Sequence, residues 1–269
     1  MKNLKYKILF TVDSDYLPHF ATALYSLFLN NISLHFEIVL FTAKISESDK
    51  FKINKICLKY DAILNIIVLD EKHFEGLIIS KHFKVSNYFR LYAADFIDGD
   101  KCLYLDSDVI INGSIKNLYE QDIQNFYLAA VEDPAYNNHK ELGLKPNAKY
   151  FNSGVMLLNL KKLRDNRIRD KVLNFVKTKS NVIKYVDQCG LNAVINGDWL
   201  ELNAEYNCQS YMLLKSNFSN YFKSIRPVII HYTGSSKPWQ FSNIHPFKYK
   251  YWYYRVKVII FYVVNRELI

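Results

Sequence analysis

Short apolar, β-rich runs alternate with stretches of helical patterning through the first half of the chain, and this alternation restricts the fold more than any other feature. Lys7–Val12, Phe36–Phe41 and Asn65–Leu69 read as strands. The last two are nearly continuous apolar runs, as expected of strands in a sheet covered on both faces. Between them, Pro18–Leu29 and Ser46–Tyr60 read as helices, and Ser46 followed by Asp49 suits a capping arrangement opening the second. Strands separated by helices of this length imply βαβ units, hence the α/β class with a mostly parallel central sheet flanked by helices. In such sheets ligands bind beyond the carboxyl ends of the strands.

Those ends are polar. Asp13-Ser14-Asp15 follows the first strand, and Asp106-Ser107-Asp108 follows the run Cys102–Leu105. Asp133 follows Tyr127–Val131, Asn152-Ser153-Gly154 introduces Val155–Leu158, and His231 ends Pro227–Ile230. Carboxylates and a histidine at several strand ends point to one polar site. No Gly-x-Gly-x-x-Gly and no Walker-type glycine loop occurs, so the dinucleotide and P-loop versions of this architecture are not supported.

Composition narrows the classes further. Half of the 269 residues are hydrophobic, which excludes global disorder, and only 14 are Gly or Pro, which excludes collagenous and low-complexity chains. The four cysteines, at 57, 102, 189 and 208, form no Cys-x-x-Cys pair, so neither a disulfide framework nor a structural zinc site is expected. A reducing, cytoplasmic compartment fits that usage. The formal net charge of +9 leaves nucleic acid, a membrane surface or an anionic substrate as partners to be separated.

The two ends differ. Met1–Lys7 is basic, but Ile8–Val12 is too short for a signal core and reads as the first buried strand. No stretch is long and apolar enough to span a bilayer. From Phe247 to Val264 there are basic and aromatic residues but no acid, with Trp252, Val256, Ile259 and Val263 at helical spacing on one side. That composition suits attachment to an anionic membrane surface, the competing reading being a helix docked on the domain with its charges solvated. We expect one catalytic domain over 1–244 and a basic, aromatic helical tail over 245–269.

Asp106 and Asp108, one residue apart beyond a strand end, can meet on one cation if the backbone turns. Hard oxygen ligands suit Mg²⁺ or Mn²⁺, ions that usually also bind substrate phosphates. An isolated Asp-x-Asp is more often a turn with a capping residue. The segment His231–Trp239 (HYTGSSKPW) changes that balance by adding an imidazole, a glycine that permits close backbone approach, and Lys237 beside a Pro-Trp brace. An imidazole joining two carboxylates favours Mn²⁺ over Mg²⁺, and Lys237 can pair with phosphate as a point charge. Alone, His231 would more often be a hydrogen-bonded buried histidine.

Six segments in order resemble glycosyltransferase family 8, retaining enzymes related to bacterial lipooligosaccharide galactosyltransferases and more distantly to glycogenin. They are Phe10–Tyr16 (FTVDSDY), Asn87–Ala93 (NYFRLYA), Lys101–Asp108 (KCLYLDSD), Tyr150–Lys161 (YFNSGVMLLNLK), Tyr185–Leu191 (YVDQCGL) and His231–Trp239. The resemblance implies a GT-A type nucleotide-sugar-binding fold and a divalent metal. By it, Asp106, Asp108 and His231 match metal ligands bridging the donor diphosphate, with Ser107 beside them on the donor side. Thr11, Asp13 and Asp15 match the loop around uracil and ribose, although an Asn is common in the galactosyltransferase relatives at the position of Asp15. Arg90 matches an arginine at the donor sugar, and Asn152, Ser153 and Gly154 match a sugar-facing loop. Gly234 and Lys237 match diphosphate contacts, and Asp133 the sugar–acceptor junction. Asp187 and Gln188 match the pair beneath the anomeric carbon.

The expected activity is therefore retaining transfer of a hexose, galactose or glucose, from a UDP-sugar to a glycan acceptor. The acceptor suggested is lipopolysaccharide, lipooligosaccharide or another cell-surface glycan at the cytoplasmic face of the membrane. Retention by double displacement needs a carboxylate nucleophile, and Gln188 is an amide. Front-face attack is the favoured route, with Asp187 as the rival nucleophile. Two other readings stand beside it: a catalytically inactive nucleotide-sugar-binding protein, and a nucleic-acid binder, which would explain the charge alone.

Overall fold

Ile8 and Phe10 point into one hydrophobic layer and Leu9 into another, so the first strand is covered on both faces. It belongs to a computed structural model that describes residues 5–77, 84–214 and 226–265. The strand, β1 (Lys5–Thr11), is an interior strand of a seven-stranded sheet. On one side it pairs in parallel with β2 (His35–Thr42), and β2 pairs in parallel with β3 (Ile63–Val68). On the other it pairs in parallel with β4 (Lys101–Leu105). The connecting helices α1 (Leu17–Leu29) and α2 (Glu47–Lys59) complete the βαβ units. Pro18 stands in the first turn of α1, where its missing N–H costs no bond. Ser46 caps α2 by accepting the Asp49 amide at 3.1 Å, as its spacing predicts.

Two expectations are corrected here. Asn65–Leu69 is not covered on both faces: β3 is the edge strand, and Ile63 and Val68 are exposed. A continuous apolar run alone does not distinguish an edge strand from a central one. Asn152, Ser153 and Gly154 do not precede a strand. They lie inside β7 (Phe151–Asn159), which is buried throughout. Their polar side chains gave the appearance of a loop, yet their backbone is part of the sheet.

β7 also reverses direction. It is antiparallel to β4 and to β6 (Leu128–Glu132), and β6 in turn pairs in parallel with β8 (Leu200–Glu201). The start of β7 therefore lies at the same edge of the sheet as the carboxyl ends of β4 and β6. A second, three-stranded sheet is formed by β5 (Val109–Ile111), β9 (Cys208–Gln209) and β10 (Ile229–His231). Helices α3 (Ile168–Thr178) and α4 (Val186–Ile195) pack together, with Gly190 allowing close approach to Val172 and Val176.

The tail forms helix α5 (Lys248–Val264), and residues 266–269 of the expected tail lie outside the described residues. It docks against α1, burying Tyr251, Tyr254 and Val258. Val256, Ile259 and Val263 are exposed, and Trp252 is partly exposed. Among the described residues no helix is long and apolar enough to cross a membrane. The four cysteines are buried free thiols.

Candidate active site

Strand pairing assembles the centre of the site. Asp106 leaves β4, and its amide donates to the Gly154 carbonyl at 2.8 Å. Asp108 immediately precedes β5, whose Val109 stands opposite His231 of β10. The Tyr232 amide donates to the Asp108 carbonyl at 3.1 Å and fixes that register. In consequence His231 Nε2 lies 3.6 Å from Asp106 Oδ2 and 3.4 Å from Asp108 Oδ1. One ligand atom from each of the three residues lies within 4.8 Å of the others.

Gly154 makes room for this cluster. A Cβ there would sit 2.2 Å from His231 Cε1 and 2.6 Å from Asp106 Oδ2. Two hard carboxylate oxygens and one imidazole nitrogen form a donor set suited to a divalent ion that accepts mixed O/N ligation. The residues present therefore fit a metal.

Two buried cations balance the carboxylates. Arg90 Nη2 is 3.1 Å from Asp106 Oδ1, and Nε is 3.2 Å from Asp187 Oδ2. The single Nε hydrogen goes to the Asn87 carbonyl, so the Asp187 contact is an ion pair rather than a hydrogen bond. Arg90 Nη1 donates to the Ser153 carbonyl at 2.8 Å, and the guanidinium lies 4.4 Å from the Tyr104 ring centre. Burial opposes the charge of Arg90, but Asp106 and Asp187 keep its pKa above the ordinary value. Lys237 donates to Asp108 and, at 2.7 Å, to the Tyr232 carbonyl. Burial alone would raise the Asp108 pKa, and the Lys237 ammonium reverses that and holds it below the carboxylate range.

The sequence profile of glycosyl transferase family 8 matches residues 7–243. The chain belongs to glycosyl transferase family 8. It is 28% identical over 258 residues to general stress protein A of Bacillus subtilis, covering 90% of each chain. It is 30% identical over 252 residues to a lipopolysaccharide 1,2-glucosyltransferase of Escherichia coli, covering 89% of this chain and 74% of that one. The fold resembles that of the galactosyltransferase LgtC in complex with donor and acceptor sugar analogues. The TM-score is 0.85, with 24% identity and coverage of 93% and 95% of the two chains. The expected GT-A architecture is thus observed.

The other positions expected from the sequence are tied to this cluster or lie apart from it. Thr11 donates to the Tyr104 hydroxyl at 3.0 Å, and Tyr104 in turn donates to Asp106, linking β1 to the cluster. Ser107 is buried between the two aspartates. Asp13 and Asp15 share Lys84, whose Nζ lies 3.5 and 3.0 Å from them, and Asp15 is largely exposed. Gly234 has φ +83°, a conformation that favours glycine. The brace expected from Trp239 takes the form of a stack on His19 at 3.5 Å, while Trp252 Nε1 donates to the Pro238 carbonyl at 3.1 Å.

Asp187 and Gln188 start α4, in contact with the beginning of β7. Gln188 Oε1 accepts the Ser153 amide at 2.9 Å, and its Nε2 donates to Asp133 Oδ2 at 3.2 Å. Asp187 is only 2% exposed. Burial pushes its carboxyl up to about 6 against the pull of Arg90. Asp133, beyond β6, is held by its amide on the Tyr150 carbonyl at 2.8 Å.

Sequence reasoning missed four residues. Tyr104 sits two residues before Asp106 in a run that reads as plain buried strand, although period-2 alternation would have placed it on the same side. Lys84 had no signal marking it. Asn192 donates to the Phe151 and Gln188 carbonyls at 2.9 Å each, and its oxygen accepts the Phe151 amide at 2.8 Å. Asn207 meets His231 from a stretch without a recognised motif.

Proposed function

We propose that the chain is a retaining hexosyltransferase that moves galactose or glucose from a UDP-sugar to a cell-surface glycan acceptor of the lipopolysaccharide or lipooligosaccharide type. The observation that carries this reading is the clustering of Asp106, Asp108 and His231, joined to Asp187 through Arg90 and to Gln188 through Ser153. The donor chemistry and the space left by Gly154 support a divalent cation, Mn²⁺ in preference to Mg²⁺, held by Asp106, Asp108 and His231. When bound, it supplies positive charge to the departing diphosphate.

The chain's own groups do the rest. Lys237 and the glycine turn at Gly234 bind the diphosphate, and Thr11, Asp13 and Asp15 hold the nucleoside. Arg90, Asn152 and Ser153 orient the sugar, and Asp133 lies towards the acceptor. Asp187 is clamped by Arg90 and nearly inaccessible, which favours front-face attack over a covalent Asp187 intermediate. Gln188, an amide fixed by Ser153 and Asp133, is suited to stabilising positive charge at the anomeric carbon. The E. coli relative named for lipopolysaccharide glucosyl transfer supports the acceptor class.

We further assign 1–244 as the catalytic domain and 245–269 as a tail that attaches to an anionic membrane at its cytoplasmic face. Residues 206–266 contain nine Lys and Arg and no Asp or Glu. Within that region Trp252, Val256, Ile259 and Val263 form an exposed apolar side of α5. The charge is thereby accounted for without nucleic acid.

A panel of UDP-sugars tests the enzymatic reading through metal-dependent UDP release. Release from UDP-galactose or UDP-glucose with Mn²⁺ is expected. Tight UDP-sugar binding with no turnover on any acceptor glycan would instead make the protein a binding module. A trapped glycosyl–Asp187 adduct would overturn front-face attack.

A further inference from the structure

The orientation of His231 can be deduced from its surroundings. The Gly154 amide donates to Asn152 Oδ1 at 3.0 Å, which fixes that atom as the oxygen. Asn207 faces the same oxygen at 2.9 Å and must present its Nδ2 there. Its Oδ1 then faces His231 Nδ1 at 2.9 Å. An amide oxygen cannot donate, so Nδ1 carries the proton and Nε2 keeps its lone pair. That lone pair points at the oxygens of Asp106 and Asp108. The other end of the chain is also set: Asn152 Nδ2 is turned towards the Asp133 carboxylate at 3.5 Å. Asn207 is fully buried, so neither of its groups has water as an alternative partner.

We propose that Asn207 is a positioning residue that locks His231 in the Nδ1–H tautomer and so makes Nε2 available as a metal ligand. The function of this otherwise unmarked asparagine is to carry the orientation of one backbone amide, at Gly154, across two side-chain amides to the imidazole. An imidazole whose second nitrogen is held this way is fixed in ring angle as well as tautomer. The inference rests on the reading of Asp106, Asp108 and His231 as a cation site, but the tautomer itself can be read without metal.

The test uses the full chain with ¹⁵N-labelled histidine. The ¹⁵N shifts and couplings of neutral His231, assigned by comparison with His231→Asn, report which nitrogen bears the proton. Wild type should show Nδ1–H. Asn207→Leu should move the population towards Nε2–H and weaken Mn²⁺ binding, measured by electron paramagnetic resonance in the presence of UDP, by about 10- to 100-fold. Asn207→Asp keeps an acceptor towards Nδ1, so it should retain the tautomer and bind Mn²⁺ far better than Asn207→Leu. Nε2–H in wild type, or wild-type tautomer and Mn²⁺ affinity in Asn207→Leu, would overturn the proposal. If Asn207→Leu does not fold, the wild-type spectrum and Asn207→Asp decide. Absence of Mn²⁺ binding by wild type with UDP would remove the cation site instead, a different failure from a wrong tautomer.

Discussion

Replacing Gly154 by alanine adds a single methyl group at the most crowded point of the site. The new Cβ would lie 2.2 Å from His231 Cε1, 2.6 Å from Asp106 Oδ2 and 3.0 Å from His231 Nδ1. Carbon–carbon contact is optimal at about 3.5–4.0 Å, so the imidazole and β7 must separate by more than about 1 Å. Neither is free to yield: His231 is buried in β10 and bonded to Asn207, and Gly154 is bonded to both Asn152 and Asp106. Overpacking of this kind costs about 1–3 kcal/mol. A ligand shift near 1 Å costs on the order of 100-fold in rate. Gly190→Ala is the control for Mn²⁺ binding, since its Cβ would meet Val172 Cγ1 and Val176 Cγ2 at 2.8 Å and none of Asp106, Asp108 or His231. We expect Gly154→Ala to lose most Mn²⁺ binding and UDP release with a modest fall in Tm, and Gly190→Ala to lose Tm while keeping Mn²⁺ binding. Mn²⁺ affinity and turnover within twofold of wild type for Gly154→Ala would refute the reasoning.

Other perturbations separate the remaining groups. Asp108→Asn should abolish metal-dependent turnover while leaving the far-ultraviolet circular dichroism unchanged; retained activity would remove Asp108 from the metal site. Lys237→Met frees Asp108 and would delete the proposed diphosphate contact, so calorimetry should find tighter Mn²⁺ binding without nucleotide and about tenfold weaker UDP binding. His245, 4% exposed, accepts the Phe247 amide on Nδ1, and burial lowers its pKa to about 4 from 6.5. Its unfolded form takes the proton first as pH falls. The stability it contributes is therefore fully present above pH 6.5 and falls towards pH 4, by about 3 kcal/mol at most. Denaturant titrations should show a flatter acid limb for His245→Phe. Changing Val256, Ile259 and Val263 together to serine, with Trp252 kept for its bond to the Pro238 carbonyl, should reduce sedimentation with anionic vesicles and leave soluble UDP release intact; equal sedimentation would argue against the membrane surface.

Much of this geometry is legible in the sequence because strand ends are marked by a change from apolar to acidic residues. Asp106, Asp108, Asp133 and His231 are all found that way, and the two sheets together bring Asp106, Asp108 and His231 into one cluster. What was not legible depends on strand direction and register. Nothing local to YFNSGVMLLNL says that β7 runs against its neighbours, so its polar start looked like a loop. The edge position of β3 follows from the sheet order, which no six-residue run encodes. Asn207 and Lys84 act through side-chain contacts with residues far away in sequence, Asn207 with His231 and Asn152 and Lys84 with Asp13 and Asp15, and neither lies in a motif.

Helix α5 has a consequence for experiments that shorten the chain. Its first turns hold the segment that carries Lys237, through Trp252 Nε1 on the Pro238 carbonyl, Lys248 Nζ on the Gln240 and Phe241 carbonyls, and the Phe247 carbonyl on the Tyr232 hydroxyl. Tyr251 meets His19, which stacks on Trp239. A protein cut before Lys248 would lose the contacts that hold the Lys237 segment along with any grip on a surface. Its inactivity would say nothing about where the intact protein works, and localisation is better dissected by substitutions on the outward side of the helix.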